Sequence, residues 1–262
     1  MSAVVHELRL FFVALQFFTR LPVPRWVGFE PAWLQACARY FPLVGLLVGG
    51  VAAVVYVAAA RVASPAVAAV LSTLATVVLT GAFHEDGLAD TCDALGGHVG
   101  RDRALEIMKD SRIGSYGTVG LLLVAGLKLS VLAALPVLLA VPALLFAHTV
   151  SRAMAVVVIG TLPYAGDPAA AKAKPLAQRV RRREVWVALA TVALVGAAIV
   201  AWRAPWWAPV GVALAFALVG LQGGARCWRR RLGGFTGDTL GATQQVTEAM
   251  ALLAWLVWMR LL

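Results

Sequence analysis

The chain has 262 residues, 61% of them apolar and 14% charged, with 24 glycines and a mean hydropathy of +0.83. A soluble domain is about 45–50% apolar and about 25% charged. This composition therefore excludes a disordered chain, a nucleic-acid-binding domain and an ordinary soluble enzyme, and it indicates a polytopic membrane protein. The net charge of +10 would suggest nucleic acid in a soluble protein. In a membrane protein the same excess marks cytoplasmic loops facing anionic lipid.

The N-terminal run does not read as a cleavable signal. Glu7, Arg9 and Gln16 interrupt it, and Arg20, Pro22 and Pro24 follow where a small-residue cleavage site would stand. Leu8, Phe11, Phe12, Leu15 and Phe18 recur at helical spacing, which predicts an amphipathic helix lying in the membrane interface. Cys37, Cys92 and Cys227 lie far apart, with neither a disulfide framework nor a thiolate zinc spacing.

A membrane-spanning helix needs about 20 mostly apolar residues. Seven stretches qualify, roughly 41–60, 64–83, 116–135, 139–161, 185–202, 206–225 and 242–261. Ser64-Pro65 and Arg203-Ala204-Pro205 punctuate overlong runs, while Pro136 and Pro142 leave one boundary open. The expected fold is an all-α membrane bundle of about seven spans, with the interfacial helix and a short cytoplasmic helix carrying polar motif residues, in one catalytic domain over 1–262. Seven spans put the N-terminus, 84–115, 162–184 and 226–241 on one side, which holds 18 of the 23 Arg and Lys residues. The opposite side holds three, Arg61, Arg203 and Arg260, so the first side is expected to be cytoplasmic. Lys172 to Arg183 and Arg226 to Arg231 read mainly as lipid-facing topology determinants.

Seven of the 13 acidic residues fall within 85–110. In Asp86-Gly-Leu-Ala-Asp90-Thr-Cys-Asp93, Asp90 lies about 40° from Asp86 on a helical wheel and Asp93 about 20° to the other side. If the second span continues through this stretch, the three carboxylates share one face. Like charges crowded at the edge of a bilayer call for a cation. Hard oxygen ligands at this density suit Mg²⁺ or Mn²⁺ shared with substrate phosphates. The plain alternative is a solvated acidic face paired with nearby Arg. His84 is a candidate base, and Glu85 falls off the shared face.

A short polar helix is expected over 101–110, with Asp102 and Glu106 in local ion pairs. Asp110 stands between Lys109 and Ser111-Arg112, just before Gly114, Gly117 and Gly120. It is a further candidate metal ligand, with Lys109 and Arg112 holding phosphate oxygens. The run Gly233 to Gly241, containing Gly237 and Asp238, reads as a glycine-rich loop whose amides can cradle phosphate. Arg152, inside an apolar run, is expected to face a polar cavity or an acidic partner. Lys128 can snorkel toward the interface, and Gly45-x-x-x-Gly49 suits close helix packing.

Five segments then carry a resemblance: Thr19-Arg-Leu-Pro-Val-Pro24, Phe41-Pro-Leu-Val-Gly45, His84-Glu-Asp-Gly-Leu-Ala-Asp-Thr-Cys-Asp93, Arg101 to Gly114 with its Met108-Lys-Asp-Ser-Arg-Ile-Gly114, and Thr236-Gly-Asp-Thr-Leu-Gly-Ala242. In this order the chain resembles the cobalamin synthase (adenosylcobinamide-GDP ribazoletransferase) family over essentially its whole length. The resemblance implies a Mg²⁺-dependent inner-membrane enzyme of late cobamide assembly. Such an enzyme joins adenosylcobinamide-GDP to α-ribazole, or its 5′-phosphate, and releases GMP.

By position, Asp86, Asp90 and Asp93 match the family's acidic motif, and Asp110 and Asp238 its later ones. The site expected from this is Asp86, Asp90, Asp93 and Asp110 on metal, with Asp93 or His84 as base. Lys109, Ser111, Arg112, Arg152, Gly237 and Asp238 are expected toward substrate and phosphate. The partners are the two substrates and the bilayer, without nucleic acid, and homo-oligomerisation is left open. The competing class is a membrane transporter for a cobamide precursor or a cation. Against it, the carboxylates cluster at the boundary of the bilayer and not at its midplane.

Overall fold

The computed structural model describes residues 3–166 and 177–261. Lys172 and Lys174, counted among the topology-setting cations, lie outside the described residues. Among the described residues, eleven α-helices follow one another: α1 (Ala3–Phe18), α2 (Trp33–Cys37), α3 (Phe41–Ala60), α4 (Pro65–Thr80), α5 (Phe83–Gly96), α6 (Arg101–Ile107), α7 (Ser115–Ala134), α8 (Val137–Thr161), α9 (Arg182–Trp202), α10 (Trp207–Leu232) and α11 (Gly237–Leu261).

The protein is an all-α polytopic membrane protein. Among the described residues, five helical segments are long and apolar enough to cross a membrane: 33–60, 115–134, 137–161, 182–202 and 204–232. The pair α4–α5 makes a sixth if a span bent by 91° counts as one. Two of the seven expected stretches therefore depart from a simple span, each for a local reason. The stretch 64–83 stops at Thr80, because Gly81 (φ 69°) and Ala82 (φ 58°) both take the left-handed conformation. Glycine adopts it at little cost, whereas alanine is strained there. The acidic stretch is thus a separate helix, not a continuation of the second span. The last stretch starts early, at Gly237, and its inward side is polar, with Gln244, Gln245, Thr247 and Glu248 all buried.

Helix α8 is the central element, 83% buried over its most apolar window. Pro136 caps it and Pro142 is carried inside it, so α7 and α8 are separate helices. Helix α3 crosses α8 through Gly45 and Gly49. A methyl group on Gly49 would lie 2.8 Å from the Leu144 carbonyl oxygen, and one on Gly45 would overlap the His148 carbonyl. In lipid, where burial of apolar surface does not drive helices together, such small-residue contacts let backbones approach and pack. The outward faces of α4, α7 and α10 carry Val70, Leu74, Leu122, Leu123 and Val219, as lipid contact requires.

Helix α1 buries Leu10, Val13, Ala14, Leu15 and Phe18, while Leu8 is exposed. The buried stripe is thus rotated from the expected one, because α1 packs on the protein through Leu10, Val13 and Ala14 as well. Arg39, buried, bridges Glu7 of α1 at 3.0 Å and Glu184 of α9 at 3.1 Å. Two further cations counted as topology residues also have structural partners. Arg231 donates to the carbonyls of Leu95 and Gly97 and closes the C-terminus of α5. Arg101 donates to the Leu232 and Ala165 carbonyls. A small second core of Ala94, Ala104, Met108, Ala165 and Leu232 forms beneath α6.

Candidate active site

Helix α5 is held on two sides by glycine contacts. Gly87 meets α11, where an added methyl would lie 2.9 Å from the Asp238 carbonyl oxygen and 3.2 Å from Gly241 Cα. On the other side Gly117 and Gly120 let α7 approach Ala89, Asp93 and Cys92. Between these contacts Asp86 is exposed, and Asp90 and Asp93 are half-buried. The three carboxylates lie on the side of α5 away from His84, as their spacing predicts. Asp93 is committed to structure as well. Its Oδ2 accepts the Gly114 amide at 2.7 Å and its Oδ1 the Gly117 amide at 2.7 Å, capping the N-terminus of α7. Gly114, Gly117 and Gly120 are therefore the start and one face of α7.

Asp110 and Arg112 pair with each other. Arg112 Nη2 donates to Asp110 Oδ2 at 2.6 Å and Nε to Oδ1 at 3.0 Å. The Arg112 guanidinium hydrogen-bonded to it holds the Asp110 carboxyl down at about 2. Lys109 and Ser111 beside them are exposed. The expected polar helix ends at Ile107, and its acids make local pairs, Arg101–Asp102 at 3.4 Å and Arg103–Glu106 at 2.8 Å.

The expected glycine-rich loop 233–241 is largely something else. Gly233 ends α10, Gly234 packs on the Pro163 carbonyl, and Gly241 lies within α11 against α5. Thr236 and Thr239 cap α11 reciprocally, each hydroxyl accepting the other's amide, at 3.3 and 2.8 Å. Only Gly237 and Asp238 remain half-exposed in the first turn, beside α5. Among the described residues, no three His, Cys, Asp or Glu side chains form a ready-made metal-binding group.

Behind the acidic face lies a buried polar network that the sequence reading largely missed. Glu248 of α11 meets Lys128 Nζ at 2.5 Å, His148 Nδ1 at 2.8 Å and Arg152 Nη1 at 3.7 Å. Gln244 Nε2 donates to Glu248 at 2.5 Å and to Ser151 at 3.2 Å. Gln245 Nε2 donates to Glu85 Oε1 at 3.0 Å. Arg152 thus has the acidic partner its burial demands, and Lys128 turns inward instead of snorkelling. Two signals were in the sequence: Gln244, Gln245 and Glu248 interrupt an apolar span, and His148 stands one turn before Arg152. His84 lies on this inner side, stacked on Phe18 with ring centroids 5.3 Å apart.

Helical membrane enzymes with an acidic face at the edge of the bundle form the class that this fold and site define. The cobalamin-5-phosphate synthase family model matches residues 10–256, and the chain belongs to that family. It is similar to the adenosylcobinamide-GDP ribazoletransferase of Leptothrix cholodnii, 54% identical over 98% of this chain and 99% of that one. The proteins of the same name from Shewanella amazonensis (44%, 98% of each chain) and Polaromonas sp. (43%, 95% and 96%) are also similar. No solved structure matches the chain.

Proposed function

We propose that this chain transfers the adenosylcobinamide-phosphate moiety of adenosylcobinamide-GDP to α-ribazole, or its 5′-phosphate, and releases GMP. The observation that carries this is the near full-length similarity to relatives named for that transfer. The relatives named above are all transferases, which disfavours the transporter alternative. The whole chain acts as one catalytic domain in the bacterial inner membrane, with the acidic face of α5 on the cytoplasmic side. The 18-to-3 bias of Arg and Lys supports that orientation.

In the reaction a ribose hydroxyl oxygen bonds to the cobinamide-side phosphorus, the bond to the GMP oxygen breaks, and the hydroxyl proton is lost. Asp86 and Asp90, one turn apart, the first exposed and the second half-buried, would hold Mg²⁺. Two carboxylates without a third suit an ion that fills its shell with substrate phosphates and water. Bound there, Mg²⁺ would neutralise charge on the pyrophosphate. Asp238, across the Gly87 contact, and Asp110 are the carboxylates that flank this face.

Lys109, Ser111 and Arg112 take phosphate oxygens, Arg112 exchanging Asp110 for a phosphate of the same bidentate geometry. Asp93 takes the proton, since two of its four lone-pair sites remain after the α7 amides are satisfied. His84 faces the other side of α5 and is the weaker candidate for that role. Arg152 lies deeper, and reaches substrate only through the cavity it shares with His84. The test is GMP release by the protein in liposomes. Asp86→Ala and Asp90→Ala are expected to lose at least about a hundredfold. Near-wild-type Mg²⁺-dependent release by either would overturn the metal assignment.

A further inference from the structure

One cavity away from the acidic face holds buried polar atoms that the protein leaves unsatisfied. Phe17, Phe18, Phe41 and Phe83 wall it, and His84 and Arg152 complete the lining. His84 is 3% exposed and Arg152 2%, yet among the described residues His84 Nε2 and Arg152 Nε have no hydrogen-bond partner. Leaving such groups buried and unpaired is costly, and two of them at one cavity mark a place where something binds. The segments that converge there include two that the phosphate chemistry leaves unused, the helix end before Thr19-Arg-Leu-Pro22 and the start of α3 at Phe41.

Building on the function proposed above, we propose that this cavity is the acceptor subsite and takes the benzimidazole ring of α-ribazole. That ring is flat and apolar, and its one unsubstituted nitrogen only accepts. Aromatic walls stack on such a ring. Arg152 Nε donates to the nitrogen, and the guanidinium is already oriented by the His148 carbonyl at 3.0 Å and Glu248 at 3.7 Å. His84 Nε2 meets a ribose hydroxyl, as donor or acceptor according to tautomer.

The guanine of the other substrate does not suit the cavity. Its ring N–H and amino groups need acceptors, and no carboxylate among the described residues lines the cavity. Gln244, which does line it, is committed: its Oε1 accepts from Gln245 at 3.0 Å and its Nε2 donates to Ser151 and Glu248. Gly237, also in the lining, precedes Asp238, whose backbone rests on Gly87 beside Asp86. The ribose leads that way, toward the acidic face. The cavity holds only about 20 Å³, room for one water, so a ring enters only if a wall opens, and Phe83, 41% exposed, is the wall placed to swing out.

The experiment is steady-state GMP release in liposomes with each substrate varied in turn. Phe83→Ala removes an exposed wall without threatening the fold, and Ala155→Leu fills the cavity from α8. Both are expected to raise KM for α-ribazole about tenfold or more, the effect of one lost stacking contact. KM for adenosylcobinamide-GDP is expected to stay within about twofold. An equal rise in both KM values, or a rise for the GDP substrate alone, would overturn the assignment. So would no change in either, which would leave the cavity to a trapped water. If the wild-type protein released no GMP from the two substrates together, the proposed function itself would fail, a result distinct from all of these.

Discussion

Asp93 Oδ1 accepts the Gly117 amide at 2.7 Å, so a carboxylate of the acidic helix caps a different helix. Because α7 begins at Ser115, just after the Lys109–Arg112 segment, this one contact ties that segment to the acidic face of α5.

Substitutions at Asp93 separate its two roles. Asp93→Ala leaves two α7 amides without their cap and is expected to cost about 1–2 kcal/mol, read as a lower unfolding midpoint in detergent. Asp93→Asn keeps one acceptor oxygen but sets its NH2 against the second amide, and is expected to unfold between Asp93→Ala and wild type. Both variants should lose GMP release by about a hundredfold or more if Asp93 takes the proton. An active Asp93→Asn would leave the residue a helix cap only.

At Gly87 the backbone of α11 leaves no room for a methyl group. Gly87→Ala must push α5 from α11, and a displacement of about 1 Å at reacting groups costs about a hundredfold in rate. Gly126→Ala is the control. It points into open space on an exposed part of α7, and should leave the rate unchanged.

Glu248 is the anion that three buried cationic or ionisable side chains share. Glu248→Ala strands Lys128 and Arg152 and is expected to destabilise the protein by about 3–5 kcal/mol. Adding Lys128→Met to Glu248→Ala should recover part of that loss, because one stranded charge is gone. A double-mutant cycle on unfolding midpoints measures the coupling, and strict additivity would contradict a shared network.

Asp110 with its carboxyl at about 2 stays ionised across the working range. Its depressed value means the pairing with Arg112 is present above the ordinary carboxylate range and is lost only as pH falls through about 2. The loss of rate as pH falls toward the ordinary carboxylate range should therefore be the same in Asp110→Asn as in wild type. Arg112→Ala should raise KM for the GDP substrate about tenfold or more, and Arg112→Lys should rescue it only in part, because lysine lacks the bidentate fork.

The acidic face was legible because three carboxylates at i, i+4 and i+7 can only align on a helix. The elbow before it was not. Gly81 sits in an apolar run like any helical glycine, and the left-handed Ala82 has no sequence signature. The glycines of 233–241 resembled a phosphate loop because their role, contact between backbones, depends on helices distant in sequence. Lys128 and Glu248 were visible separately as costly intramembrane charges, but their pairing needs the packing of α7 on α11.

The elbow at Gly81–Ala82 also has a consequence for the surrounding lipid. Helix α4 has 16 residues, a rise of about 24 Å against a hydrocarbon core of about 30 Å. A bilayer meets such a shortfall by thinning locally, so the acidic helix is expected to sit in a shallow depression of the headgroup layer. Lipids with short acyl chains are then expected to seat the elbow with the least distortion.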